Sequence, residues 1–144
     1  MKQYHLNKLS PELGAEISGI DLSKDFNEEI QNKIYDDLIN YKVLFFREQN
    51  ITPQFHVEFA KSFGSIEEPH PVYPHVEGFP EIVLLENGKD NPPDTDEWHT
   101  DVTFKNDPPF ASILYSKTIP EVGGDTLWSL SLIHISEPTR HASI

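Results

Sequence analysis

Proline is the residue that most restricts the fold of this chain, because nine of its twelve prolines lie between positions 69 and 120. A proline inside a helix removes a hydrogen bond and clashes with the preceding turn. Proline also cannot donate to the ladder of a central strand. Aromatic residues, which favour strands, make up 11% of the chain. These features predict short strands joined by long loops in the second half, and not a helical bundle.

Strand patterns recur along the chain and set the expected fold class. Short apolar runs bounded by proline, glycine or polar clusters are typical of strands. Such runs occur at residues 4–9, 15–22, 43–46, 81–85, 98–104 and 110–115. Together with two helices in the first half, they predict an α+β, mainly β domain in which a β-sandwich or barrel carries helices on its outside.

The two helices are predicted from their caps and their apolar spacing. Asp25 offers a cap for the first helix, which runs to about residue 40. Its apolar residues recur at helical spacing, at Ile30, Ile34 and Leu38. The second helix begins at Thr52 and Pro53, a hydroxyl cap followed by proline at the first helical position.

Charge and composition exclude several classes of function. A length of 144 residues suits one domain, and a formal charge of −13 disfavours binding to nucleic acid or to an anionic membrane. The absence of cysteine excludes disulfides, zinc thiolate sites and a cysteine nucleophile. There is no signal-type apolar region at the N-terminus and no apolar run near the ~20 residues of a membrane span. These features favour a cytoplasmic protein.

The sharpest chemical signal is the sequence Trp98-His99-Thr100-Asp101. On a strand, residues i and i+2 face the same side, so His99 and Asp101 are expected to project an imidazole and a carboxylate toward one point. These are two of the three ligands of a facial two-histidine-one-carboxylate site for Fe(II). A solvated or structural histidine is the other interpretation of the same residues.

Three further features surround this signal. Thr126 follows the turn formed by Gly123 and Gly124, where its hydroxyl could bind a carboxylate, although the same residues also fit a plain β-turn. His70 and Tyr73 lie in a loop rigidified by prolines, which suits either ligand binding or a packed surface loop. Phe104 lies near the expected metal edge, where an aromatic residue also fits a strand core.

The whole pattern resembles the taurine dioxygenase family of Fe(II)- and 2-oxoglutarate-dependent oxygenases, in its N-terminal half only. The similarity covers nearly all of residues 4–128. It is carried by residues 14–22, 43–49, 63–64, 70–75, 91–94, 98–104 and 123–128. The combination of Trp-His-Thr-Asp with Gly-Gly-Asp-Thr-Leu-Trp is typical of the superfamily, and His-Pro-Val-Tyr-Pro-His points to the taurine branch.

The resemblance implies a double-stranded β-helix, or jelly roll, with flanking helices. It also implies that Fe(II) is bound by His99 and Asp101. By the same resemblance, the co-substrate 2-oxoglutarate is bound by Thr126. It further implies that the sulfonate is bound by His70, Tyr73, Thr95 and the backbone at Val102, and that Phe104 is a pocket wall.

The implied reaction is the hydroxylation of taurine with O2 at the carbon bearing sulfur, which releases sulfite and aminoacetaldehyde. The resemblance also implies a homo-oligomer, which the residues themselves do not indicate.

Two departures from the family pattern shape these expectations. Members usually carry asparagine where this chain has Thr95, and a hydroxyl cannot replace both hydrogen-bonding ends of an amide. Another sulfonate, a sulfate ester or an aryloxy acid therefore stays open as the substrate. The family's second iron histidine and its arginines have no counterpart here, so this fragment is expected to bind iron weakly and not to turn over.

The last residues are interpreted separately from the domain at residues 1–129. Residues 130–140 resemble the in-frame translation of a common sequencing adapter, so residues 130–144 are predicted to be read-through and not native sequence. His134, Arg140 and His141 are therefore not recruited to the site. A non-enzymatic jelly-roll binding module, with structural roles for His99 and Asp101, is the remaining alternative.

Overall fold

The computed structural model describes residues 4–92 and 97–130. The expected substrate residue Thr95 lies outside the described residues, and so do residues 131–144 of the predicted read-through segment. The chain divides into two compact units. Among the described residues, the first unit holds residues 4–20, Lys33–Arg47 and residues 115–130. The second unit holds Asp21–Asn32 and the described part of Glu48–Leu114.

The regular elements lie in the first two thirds of the described chain. In order they are β1 His5–Lys8, β2 Ala15–Ser18, α1 Leu22–Asp25, α2 Glu28–Tyr41, β3 Leu44–Phe46, α3 Pro53–Lys61, β4 His75–Val76 and β5 Phe79–Val83. None of the helices among these residues is long and apolar enough to cross a membrane.

The first unit is built on a three-stranded sheet with β2 in its centre. Strand β1 runs antiparallel to β2, and β3 runs parallel to β2 with Ala15 opposite Leu44. Alternate residues of β2 face the core, so Ala15 and Ile17 are 0% and 1% exposed. The pattern predicted a strand up to residue 22, but β2 ends at Ser18. The backbone turns at Gly19, whose φ of +80° favours glycine, and Asp21 then caps α1.

A buried tyrosine ties the start of the chain to α2 within the first unit. The Tyr4 hydroxyl donates to Asp37 Oδ2 at 2.5 Å, and Lys33 Nζ reaches the same oxygen at 2.8 Å. Lys33 also lies 4.0 Å above the centre of the Tyr4 ring. Burial, followed by the hydrogen bond to the Asp37 carboxylate, raises the pKa of Tyr4 well above its usual range. The fold therefore holds this phenol in its neutral form.

Replacing Tyr4 by Phe is expected to destabilise the chain by about 1.5–3 kcal/mol at neutral pH, because a hydrogen bond to a charged group is lost. Because the folded-state pKa is raised, the stability from Tyr4 is fully present below the ordinary tyrosine pKa of about 10 and declines at higher pH. Urea unfolding measured between neutral pH and about pH 11 should show that the free energy of unfolding falls more steeply with pH in wild type than in Y4F. The half-exposed Tyr35 supplies the control variant Y35F. If the free energy of unfolding falls equally with pH in wild type and Y4F, the raised pKa of Tyr4 is contradicted.

The second unit packs its helices through a cluster of phenylalanines. Thr52 caps α3 as predicted, accepting a hydrogen bond from the backbone N–H of Phe55 at 3.1 Å. The cap expected at Asp25 is wrong, because Asn27 Oδ1 accepts from Ile30 N at 3.1 Å and so caps α2. Phe26 follows α1 and meets the rings of Phe55, Phe59 and Phe63 at centroid distances of 5.0–6.5 Å.

The predicted strands of the later chain are only partly present. The strand expected at residues 81–85 is β5, which begins two residues earlier and pairs with β4. The strands expected at residues 98–104 and 110–115 are wrong, because residues 84–92 and 97–130 form no helix or strand. A strand needs a partner for its backbone groups, and these segments have none within the described chain. The described part is thus α+β with small mixed sheets.

Large apolar side chains remain exposed along this irregular part of the chain. The most exposed are Trp98, Phe104, Leu114, Ile119, Val122 and Leu127. In a strand, such side chains would be covered by packing against a second layer. The sequence pattern that predicted strands therefore calls for a second layer of structure against which these side chains would pack. The described residues do not form that layer.

Candidate functional site

The segment from Trp98 to Lys105 is a turn and not the expected strand. Val102 adopts a φ of +54°, and its carbonyl accepts a hydrogen bond from Lys105 N at 3.2 Å. The hydroxyls of Thr100 and Thr103 lie 2.6 Å apart across the same turn. A non-glycine residue at positive φ is uncommon, so the chain reverses sharply just after Asp101. The alternation argument that placed His99 and Asp101 on one strand face is therefore wrong.

The turn nevertheless brings His99 and Asp101 together. His99 Nε2 lies 3.4 Å from Asp101 Oδ1. His99 Nδ1 lies 3.0 Å from the carbonyl oxygen of Glu97, which can only accept, so Nδ1 carries the proton and donates it. In the neutral imidazole, Nε2 then presents its lone pair to a carboxylate oxygen. A cation between the two atoms, either a proton or a metal ion, relieves that repulsion.

The donor set at this position fits a first-row metal ion. Imidazole and carboxylate ligands bind such ions at about 2.1 Å, so one ion can reach two atoms separated by up to ~4.2 Å. The hydrogen bond from Nδ1 to a backbone carbonyl is also the usual outer contact of a metal-binding histidine, because it fixes the ring and its tautomer. Among the described residues, no group of three or more metal-binding side chains is present, so the pair supplies two ligands.

Ser112 holds the second oxygen of the same carboxylate. Its hydroxyl donates to Asp101 Oδ2 at 3.0 Å, eleven residues along the chain. With Oδ2 engaged, Oδ1 is the oxygen that is turned toward His99. The sequence analysis missed Ser112, because a contact between two irregular segments leaves no periodic or motif signal.

The loop of His70 and Tyr73 is closely folded on itself. The backbone N–H groups of Val72 and Tyr73 each lie 3.3 Å from His70 Nδ1, and the His70 and Tyr73 rings are 4.6 Å apart. His75 Nε2 lies 2.9 Å from the carbonyl oxygen of His70. The two predicted substrate residues are therefore neighbours, and both are exposed.

An ion pair connects this loop region to the turn that carries His99 and Asp101. Lys105 Nζ pairs with Glu67 Oε2, which bridges 38 positions of the chain within the second unit. Lys105 follows the turn that carries Asp101, and Glu67 lies three residues before His70. The pair is partly exposed, so its contribution to stability is small, about 0–1 kcal/mol. The ion pair links two segments that together carry six of the predicted site residues: His70, Tyr73, His99, Asp101, Val102 and Phe104.

Three further predicted site residues are exposed or half-buried. Thr126 belongs to the first unit and is exposed. The turn before it is present, since Gly123 and Gly124 have φ values of +78° and +72°. Phe104 is 87% exposed. Val102 is half-buried, and its carbonyl is used within the turn.

Comparison with known proteins gives a consistent family signal. Residues 5–131 match the family described as taurine catabolism dioxygenase TauD, TfdA family. An alkylsulfatase of Acinetobacter baylyi is 42% identical over 129 residues, which is 89% of this chain and 40% of that protein. An alpha-ketoglutarate-dependent sulfate ester dioxygenase of Pseudomonas putida is 40% identical over 120 residues, covering 81% of this chain and 38% of that protein.

Solved structures point the same way. A taurine dioxygenase from Burkholderia xenovorans superimposes with a TM-score of 0.52 and 36% identity, over 58% of this chain and 31% of that one. The chain therefore spans about two fifths of the length of the curated relatives it matches. The family match covers almost the whole described chain, including the turn with His99 and Asp101. The chain belongs to the TauD/TfdA family of dioxygenases.

Proposed function

We propose that this chain is the N-terminal part of an Fe(II)- and 2-oxoglutarate-dependent dioxygenase with the jelly-roll fold. The enzyme oxidises the carbon that carries the sulfonate or sulfate ester group of a small substrate. The observation that carries this proposal is the His99–Asp101 pair, with Nε2 and Oδ1 3.4 Å apart. It lies in a segment that matches the dioxygenase family. The third metal ligand is supplied by sequence that this chain does not contain.

The residues of this chain have distinct tasks in the proposed enzyme. His99 and Asp101 hold the metal, with Glu97 and Ser112 fixing the ring and the carboxylate. His70 and Tyr73 bind the oxyanion group of the substrate. Their loop already folds the two rings together, which lowers the entropy lost on binding.

The remaining roles are assigned from the family resemblance. Thr126 binds 2-oxoglutarate, and substrate-side contacts come from Thr95, Val102 and Phe104. When bound, Fe(II) supplies the activation of O2, while 2-oxoglutarate is oxidised to succinate and CO2.

Two substrate classes follow from the relatives. Oxidation of taurine beside the sulfonate gives aminoacetaldehyde and sulfite. Oxidation of an alkyl sulfate beside the ester oxygen gives an aldehyde and sulfate. The two relatives at 42% and 40% identity are named for sulfate ester chemistry, whereas a yeast sulfonate dioxygenase is 28% identical. Thr95 in place of asparagine argues against strict taurine preference, whereas a taurine dioxygenase structure at 36% identity supports a sulfonate, so both substrate classes are proposed.

The experiment requires the complete reading frame. Residues 130–144 are proposed to be adapter read-through, and the family match ends at residue 131, close to that junction. Long-read sequencing of the source DNA across Trp128 should reveal a frame that continues and encodes a further histidine and arginines. A natural frame that ends at Ile144 would instead leave the metal site with two ligands and would contradict the enzyme proposal.

The complete protein should then be tested in two steps. Anaerobic Fe(II) and 2-oxoglutarate are expected to give a visible charge-transfer band. Oxygen with taurine, a longer alkanesulfonate or an alkyl sulfate should then release sulfite or sulfate together with succinate. An unchanged spectrum would favour a non-enzymatic binding module, and a band without product from any of these substrates would move the substrate toward an aryloxy acid.

Replacing Ser112 by Ala is expected to weaken metal binding by about 10–100-fold, because outer contacts that orient a ligand typically have effects of that size. Without the Ser112 hydroxyl, Asp101 is free to rotate and Oδ1 no longer faces His99. Titration of the complete protein with Mn(II) measures the change. Ser112→Thr retains the hydroxyl and is the matched control, and equal affinities for all three proteins would show that Ser112 has no such role.

A further inference from the structure

The loop of His70 contains a second histidine, His75, which ends the His-Pro-Val-Tyr-Pro-His motif and has no role in the proposed reaction. His75 begins β4, where it pairs opposite Val83 of β5. The hairpin is reinforced beside it, because Leu84 N donates to the carbonyl of Pro74 at 2.8 Å. His75 is half-buried, whereas the loop residues before it are exposed. It is therefore the point at which the loop joins regular structure.

The ring of His75 reaches back to the main chain of His70. Its Nε2 lies 2.9 Å from the His70 carbonyl oxygen. A carbonyl oxygen can only accept, so Nε2 carries the proton and donates it. The other nitrogen, Nδ1, is buried and has no hydrogen-bond partner within the described part of the chain. The Nε2 contact is therefore the hydrogen bond that fixes this ring.

The loop backbone also determines which nitrogen of His70 carries a proton. Val72 N and Tyr73 N are both donors, and both are directed at His70 Nδ1 at 3.3 Å. A nitrogen that accepts these bonds must keep its lone pair, so the proton of a neutral ring lies on Nε2. Pro71 has no N–H, so Val72 provides the first amide after His70 that can make this contact.

We propose that His75 is a positioning residue that sets the tautomer of His70. By holding the His70 carbonyl, it keeps the loop closed so that the amides of Val72 and Tyr73 reach His70 Nδ1. His70 then presents an Nε2–H donor. Sulfonate and sulfate ester oxygens are acceptors only, so the other tautomer would direct a lone pair at them. The substrate part of this inference rests on the proposed function, whereas the tautomer part does not.

The test measures the tautomer directly. Long-range 1H–15N correlation of the histidine-labelled 144-residue chain, at mildly alkaline pH, distinguishes the two neutral forms of each imidazole. In wild type, His70 is expected as the Nε2–H form. In His75→Phe, which retains a ring but cannot donate, both ring resonances of His70 should shift toward a tautomer mixture. A wild-type His70 in the Nδ1–H form would overturn the inference, as would unchanged resonances in the variant.

A matched pair of variants separates positioning from loss of fold. His75→Gln can place an N–H near the position of Nε2, whereas His75→Asn has the same amide on a shorter side chain. Only Gln is expected to restore the wild-type His70 resonances, and equal spectra for the two would contradict the proposal. The resonances of His5 and His56, which lie on other elements, should stay unchanged if the fold is intact.

The functional consequence is measured on the complete enzyme. His75→Phe should raise KM for the sulfur-containing substrate about tenfold or more, because one charge-assisted hydrogen bond is impaired, and should leave Mn(II) affinity unchanged. If the tautomer result holds and the enzyme shows no activity on any substrate, the proposed function fails and the positioning role stands. If activity is present and the His70 tautomer does not respond to His75, the positioning role fails alone.

Discussion

Replacing His99 by Ala is expected to abolish specific metal binding by this chain and turnover by the complete enzyme. His99 supplies one of the two ligands that the described residues bring together, with Nε2 3.4 Å from Asp101 Oδ1. Outer-contact changes alone cost about 10–100-fold in metal affinity, so loss of the ligand itself should exceed 100-fold. The expected loss of activity is correspondingly complete, because the open metal positions are where both co-substrates must bind.

The metal-binding measurement can use the chain as it is, because Trp98 is adjacent to His99 and 71% exposed. In a Trp128→Phe background, Trp98 is the single tryptophan. Its fluorescence should be quenched by Co(II) until the site is saturated, with a weak affinity. H99A and D101A should each remove the saturable phase, and the double variant should add nothing, because the two ligands act on one ion. His5→Ala, on β1, is the control.

Two outcomes would contradict the metal site. Equal Co(II) quenching in wild type and H99A would mean that the ion binds elsewhere and that His99 is a solvated histidine. A 2-oxoglutarate charge-transfer band that persists in the H99A variant of the complete enzyme would likewise mean that His99 is not a metal ligand.

The sequence predicted the first half of the fold well, because local signals and the final structure agree there. The alternation in β2 leads directly to buried Ala15 and Ile17, and the Thr52 hydroxyl caps α3 as expected. Errors in this half concern boundaries, since Asn27 competes with Asp25 for the cap of α2. Such choices depend on the exact backbone path, which periodicity does not determine.

The structure corrects the expected geometry of the candidate site, and the roles of its residues stay predictions. His99 and Asp101 were chosen because alternation places them on one face, yet a turn with Val102 at positive φ brings them together. A strand requires a neighbouring strand, and the sequence of one segment cannot say whether the neighbour is present. Ser112 and His75 were missed for a related reason, because their contacts join irregular segments or use the main chain.

Replacing Ile17 by Ala is expected to destabilise the chain by about 2–5 kcal/mol, the range for deleting a buried aliphatic side chain. Ile17 is 1% exposed on the central strand, opposite Leu6 of β1 and Phe46 of β3. Because the neighbours of Ile17 in the sheet are held by paired strands, they cannot move in to fill the cavity without straining the ladder hydrogen bonds.

The Ile17 prediction has a graded test in urea unfolding at neutral pH. Ile17→Val should cost about 0.5–1.5 kcal/mol, and Ile119→Ala, at a side chain that is 72% exposed, should stay within about 0.5 kcal/mol. Small domains have only about 5–15 kcal/mol in total, so I17A should remove a large share of the stability. Similar losses for I17A and I119A would show that Ile119 is buried in solution and that residues 115–130 pack more tightly than their exposure indicates.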